Sequence, residues 1–170
     1  TGSDLPRSSR FDDVYFSRDD EIAESKHVFL NGNDLNNRWR AIHQQEHPAC
    51  FTIGELGLGC GLNLLLTWQL WRQCAAQPGQ ARLHYIAFEQ YPPRRMDLAR
   101  LHRRWPELET LSERFLQLYP DHSAGCHRLW LDADVLLDIH YGDATESLAG
   151  LLPGAAGQVD CWFADGFSPA

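Results

Sequence analysis

No apolar run in this sequence approaches the ~20 residues that a membrane span needs, so no segment reads as a transmembrane helix. The start, TGSDLPRSSR, has no apolar h-region and is expected as a frayed terminus rather than a secretory signal. The five cysteines, Cys50, Cys60, Cys74, Cys126 and Cys161, include no C-x-x-C pair. Their odd number and wide spacing argue against both a disulfide framework and a zinc site. Reduced, mostly buried thiols in a cytoplasmic protein are the reading they favour. The eight histidines supply no H-x-x-x-H pair on a predicted helix, which leaves metal binding without a foothold. Internal repeats and low-complexity tracts are missing as well. What remains is ordinary globular usage, 44% hydrophobic and 22% charged over 170 residues, enough for one domain with a real core.

Positive charge is also in short supply. The formal net charge is −8, whereas phosphate neutralisation by Lys and Arg supplies most of a nucleic-acid binder's affinity. Composition taken alone therefore votes against DNA or RNA. The one basic cluster, Arg94, Arg95, Arg100, Arg103 and Arg104, falls on a predicted helix and reads as a solvated helical side.

Two regions are present. Residues 1–47 read as a small β-rich extension and linker. VYFS and HVFL are strand-like and RDDEIAES turns one back on the other. Asn31-Gly32-Asn33 is a turn signal, and Asp34 is placed to cap a helix over Asn36–Ile42. Residues 48–170 alternate strands and helices. CFTIGEL, LHYIAFE and VDCWFADG are short apolar runs that end on acids or glycines, as strands buried on both faces do. LNLLLTWQLWRQC is a helix, with Leu62, Leu65, Leu66 and Gln69 on one side. Pro92 and Pro93 are expected in the first turn of the next helix, and Pro106 splits it from a second segment over Glu107–Leu118. HRLWL and VLLDIHYGD form two strands joined by a tight acidic turn. The fold class expected is α/β, a largely parallel sheet with right-handed crossovers.

Such sheets bind ligands outside the carboxyl ends of their strands, where the strand order reverses. Each of the strand ends there presents an acid: Glu55, Glu89, Asp143 and Asp165. After Glu55 the chain runs Gly57-Leu58-Gly59-Cys60-Gly61-Leu62-Asn63. Three alternating glycines allow a tight strand-to-helix turn with no Cβ between backbone and ligand, and the new helix offers N–H groups to an anion. A dinucleotide fingerprint, G-x-G-x-x-G, wants its third glycine at the position of Leu62, so a nicotinamide-dependent oxidoreductase fits poorly. Glu55 suits a cationic ligand group. Glu89 is a ribose acceptor or a solvated strand end. Asp143, after Gly142, is an adenine acceptor or the N-cap of a helix over Ala144–Leu152. Asp165 faces the reacting end of the ligand or is a turn residue. A non-catalytic nucleoside-binding module stays open beside an enzyme.

The motifs FDDVYFS, VFLNGN, ELGLGCGLN, FEQYPPRRMDLARLHRRWPEL, GCHRLWL, LDIHYGDA and VDCWFADGFSPA carry a resemblance from Phe11 onward. The chain resembles the methyltransferase domain of the MnmC family, bifunctional bacterial enzymes that finish the 5-methylaminomethyl-2-thiouridine wobble base of certain tRNAs. The resemblance implies a Rossmann-like class I methyltransferase sheet of seven strands, of which this chain carries the first four, with the fourth expected as an edge. It implies S-adenosylmethionine as cofactor and a tRNA with a modified wobble uridine as partner. Methyl transfer to the primary amine of 5-aminomethyl-2-thiouridine is the implied reaction. Glu55, Gly57, Gly59, Gly61 and Asn63 are then implied at the methionine end, Glu89 at the ribose, Gly142 and Asp143 at the adenine edge, and Asp165 at the substrate amine. Phe29 and Asn33 are implied at the rim. The family's separate FAD-dependent oxidase domain has no matching residues here. Cys60 stands where the family often has Thr.

Overall fold

The computed structural model describes residues 21–45, 47, 49–74, 81–120, 123–150 and 159–164. Glu21–Ser25 form α1, which runs on into a π-helical stretch over Lys26–Asn31, and Leu35–Ile42 form α2. The β-rich extension expected over 1–47 is therefore corrected where it is described: HVFL is helical. VYFS lies outside the described residues. A short apolar run does not by itself distinguish strand from helix. Here packing decides, because Leu30, Leu35 and Trp39 are buried in the main core. Asp34 does stand at the N-cap of α2, with φ of 52°, but its carboxylate accepts the Asn37 side-chain amide at 2.8 Å instead of a backbone N–H.

The sheet is built from Ala49–Leu56 (β1), Ala81–Glu89 (β2), Gly125–Trp130 (β3), Val135–Tyr141 (β4) and Cys161–Ala164 (β5), in the order β3-β4-β2-β1-β5. Four of these strands run parallel; β3 joins β4 antiparallel, through the acidic turn seen in the sequence. The chain steps from β1 to β2 to β4 in one direction and returns to the other side of β1 for β5, so the order reverses at β1. Register makes the carboxyl ends level: Leu56 lies beside Phe88 and Ala164, and Glu89 beside Tyr141.

Between β1 and β2 runs α3, Leu62–Cys74, whose residues are buried on nearly every side. It shares one buried core with Ile53, Leu83, Tyr85 and Leu137 of the sheet. It is also covered by α1, α2 and Glu109–Leu118 (α5). Trp39 of α2 makes edge contacts with Phe51 of β1 (5.7 Å between centroids) and Trp71 of α3 (5.1 Å). A helix that is apolar over most of its circumference needs cover over most of it, and the N-terminal helices supply part of that cover. Burial of each such aromatic or leucine side chain contributes roughly 1.5–3 kcal/mol.

Arg95–His102 form α4. Pro92 and Pro93 precede its N-cap, Arg94, rather than entering its first turn. Pro106 opens a 3₁₀ turn over Pro106–Leu108, where its missing N–H costs nothing. Of the basic cluster, Arg104 pairs with Glu21 and Arg95 donates to the Tyr119 carbonyl, while Arg94, Arg100 and Arg103 are exposed.

Gly54 sits in the middle of β1, a poor place for glycine unless something needs the space. The indole of Trp162 in β5 lies across it: a Cβ there would fall 2.4 Å from the ring. The same indole stacks on Phe88 of β2, 6.4 Å between centroids and 24° from parallel. Gly54→Ala is expected to destabilise the fold by about 1–2 kcal/mol. Overpacking costs ~1–3 kcal/mol and the better strand residue returns ~0.5. Urea unfolding checks this; an unchanged midpoint would show that the indole moves aside freely.

Candidate functional site

The structure gathers the predicted residues, so far as it describes them, at the carboxyl edge where β1, β2 and β4 end. Glycines 57, 59 and 61 all have positive φ, 87°, 54° and 79°. Side chains would be strained there, which is why this turn is spelled with three glycines. At Gly61 space adds a second demand, since a Cβ would come within 3.3 Å of the Phe115 ring.

Glu89 ends β2, is 7% exposed, and organises the turn. Its Oε2 accepts the Gly59 N–H and its Oε1 accepts the Tyr91 N–H, both at 2.8 Å. Its carbonyl accepts the Gly142 N–H at 3.0 Å, and the carbonyl of Phe88 beside it takes Gly57 and Leu58. One residue thus ties the loops after β1, β2 and β4 together. The solvated strand end is ruled out, and the acid has more structural duty than a ribose acceptor requires. A carboxylate has about four acceptor positions, so each oxygen keeps capacity for a ligand hydroxyl.

Glu55, 0% exposed, points into the protein at the end of β1. Its Oε1 accepts the Asn63 side-chain amide at 2.9 Å, and Asn63 Oδ1 accepts the Ser25 hydroxyl at 2.5 Å. This chain of contacts fixes which way the Asn63 amide faces. It also brings α1 into the site, with Glu21 held by Arg104 and by Trp105 Nε1 at 3.1 Å. Ser25 and Glu21 carried no local signal: their partners are 38, 83 and 84 residues away.

Asp143 is the N-cap of α6, Ala144–Gly150: its Oδ1 accepts the N–H groups of Thr145 (2.8 Å) and Glu146 (3.2 Å). The capping reading holds, and the second carboxylate oxygen is left for any ligand role. Gly142, before it, has φ of 137°. Phe29, expected at a rim, packs its ring against Phe163 at 5.0 Å, and Asn33 donates to the Phe29 carbonyl at 2.9 Å. Both are structural contacts. Asp165 lies outside the described residues; it follows Ala164, which is level with Leu56 beside the glycine turn. Cys60, within the turn, is buried, and burial pushes its thiol well above the ordinary range. Among the described residues no group of His, Cys, Asp and Glu is arranged to hold a metal ion, and no helix is long and apolar enough to cross a membrane.

The residues suit an adenosyl ligand with a cationic amino-acid end. A turn with three glycines leads into a helix N-terminus, a buried acid precedes that turn, and a second acid holds it. Comparison with known proteins agrees. Residues 106–170 match a family of S-adenosyl-L-methionine-dependent methyltransferases. Over 168 residues the chain is 45% identical to the tRNA 5-methylaminomethyl-2-thiouridine biosynthesis bifunctional protein MnmC of Chromohalobacter salexigens, covering 99% of this chain and 23% of that protein. It is 47% identical over 180 residues to the same-named protein of Psychrobacter cryohalolentis, covering 99% and 25%. The chain thus spans about a quarter of the length of these curated relatives. The crystal structure of MNMC2 from Aquifex aeolicus superposes with a TM-score of 0.66 at 18% identity, covering 99% of this chain and 51% of that one. The two chains share a fold.

Proposed function

From a chain that is a relative of the MnmC proteins across 99% of its length, we propose a methyltransferase that uses S-adenosylmethionine to methylate the aminomethyl group of 5-aminomethyl-2-thiouridine at the tRNA wobble position. The observation that carries the cofactor part is the turn Gly57–Gly61, with three positive φ angles, held by the carboxylate of Glu89 at 2.8 Å. The tRNA part rests on kinship, since the relatives' names state that biosynthesis.

S-adenosylmethionine supplies a methyl group on a positively charged sulfur, open to in-line displacement by an amine. The chain's own residues position the reactants, and alignment accounts for much of such a reaction's acceleration. The glycine turn and the start of α3 hold the amino-acid end, the helix N-terminus favouring its carboxylate. Glu55, oriented by Asn63, backs the amino-acid end from inside the protein. Glu89 receives the ribose hydroxyls while holding the turn, and Asp143 uses its non-capping oxygen toward the adenine amino group. Asp165 holds the substrate amine and takes its proton, because only the neutral amine is a nucleophile.

Calorimetry with S-adenosylhomocysteine and NAD tests the cofactor reading on the full-length protein. S-adenosylhomocysteine is expected to bind the more tightly. Leu62, buried at the start of α3, occupies the position where a dinucleotide site needs a glycine. Tighter binding of NAD would overturn the assignment.

A further inference from the structure

We propose that His102 is a positioning residue for the cofactor: it locks the crest of the glycine turn from behind, through the carbonyl of Cys60. The proposal rests on the cofactor reading above and names a residue that touches no ligand.

His102 is the last residue of α4 and is only 4% exposed. Its Nε2 lies 2.8 Å from the Cys60 carbonyl oxygen, and its Nδ1 lies 2.7 Å from the Ser112 hydroxyl on α5. A carbonyl can only accept, so Nε2 carries the hydrogen and Nδ1 accepts from Ser112. Burial lowers the pKa of the ring, which favours this neutral tautomer. Stacking fixes the plane: Phe115 lies 6.2 Å away at 25°, and Trp105 5.3 Å away at 34°. Phe115 is also the ring that closes over Gly61.

An apolar side chain would fill this site without two polar atoms to satisfy, so packing alone does not account for a histidine. The bridge itself does. The first half of the turn is held by β2, through Phe88 and Glu89. Its second half has the internal bond from Gly61 N–H to the Leu58 carbonyl at 2.9 Å. His102 adds the attachment to the rest of the protein. Fixing the Cys60 carbonyl fixes the peptide plane that leads into α3, and with it the direction of the helix's first N–H groups. Those groups are what a ligand carboxylate meets. Imidazole joins a hydroxyl on one helix to a backbone carbonyl on a loop, with donor and acceptor on opposite sides of one rigid ring.

The test uses the full-length protein and three variants. His102→Phe keeps a stacking ring and loses both hydrogen bonds; its affinity for S-adenosylhomocysteine is expected to fall roughly 10-fold, the scale of one hydrogen bond. His102→Gln retains an N–H for the Cys60 carbonyl and is expected to stay within about 3-fold of the parent. Ser112→Ala removes the ring's orienting partner and is expected to weaken binding by about 3-fold, which keeps the question answerable if the Phe variant does not fold. In steady state, KM for S-adenosylmethionine rises while KM for tRNA and the rate at saturating cofactor stay put. A purely structural role lowers the unfolding midpoint and leaves the affinity of the folded protein alone. A folded His102→Phe that binds as tightly as the parent, or a Gln variant as weak as Phe, overturns the proposal. A parent that fails to bind S-adenosylhomocysteine removes the cofactor reading, and this role with it.

Discussion

Asp165→Asn is expected to leave cofactor affinity near that of the parent while slowing methyl transfer by roughly 10²–10⁴-fold, the range of general acid–base catalysis. The expectation follows from sequence position and from where β5 ends. Ala164, the last residue of β5, is in register with Leu56 of β1, immediately before the glycine turn. The next residue along the chain is Asp165. The amide keeps the shape and some hydrogen bonding but loses the charge and nearly all of the basicity. A pH–rate profile under single turnover, on tRNA carrying the aminomethyl precursor, separates two roles. If Asp165 takes the proton, the deficit persists until the amine is largely deprotonated by solvent. If it only orients the amine, the deficit is small and stays the same as pH rises, because solvent deprotonation does not replace orientation. A variant as fast as the parent throughout would leave Asp165 a turn residue.

Glu89→Ala is expected to weaken S-adenosylhomocysteine binding by roughly 10–100-fold, from hydrogen bonds to a charged group worth about 1.5–3 kcal/mol. More is lost than a ligand contact, since the same carboxylate holds Gly59 and Tyr91 by their N–H groups. Stability is therefore expected to fall as well, by about 1–3 kcal/mol for buried donors left unsatisfied. Amide exchange at Gly59 and Tyr91 is expected to accelerate more than at the centre of β2. Calorimetry and hydrogen exchange on the same variant read the two effects separately. An unchanged affinity in a folded variant would remove Glu89 from the ligand site, while unchanged exchange would contradict its hold on the turn.

Much of the site was legible from local signals because it obeys local chemistry. A turn with three residues at positive φ is written with glycine, and an acid at a strand end stands out against an apolar run. The acidic turn between β3 and β4 likewise declared a hairpin. Asp143 was legible as a helix cap, and the structure shows it as one. Composition votes against nucleic acid, but a net charge of −8 describes the chain as a whole and not the sign of any one face.

Other features were decided by tertiary structure alone. HVFL has the composition of a strand, yet most of α3 is apolar and needs cover; the N-terminal segment supplies part of it as helix, and in that form Leu30 reaches the core. Glu89 reads as a ribose acceptor in sequence, but only folding shows it holding two backbone N–H groups, one of them 30 residues away. Ser25 on Asn63, Glu21 on Arg104 and His102 on Cys60 join residues 38, 83 and 42 positions apart. Periodicity and turn chemistry act over a few residues and record which conformations a segment tolerates. Which distant polar atoms become partners depends on how the helices pack on the sheet. Once that packing removes water, a buried donor or acceptor must be matched by whatever side chain the fold has brought beside it.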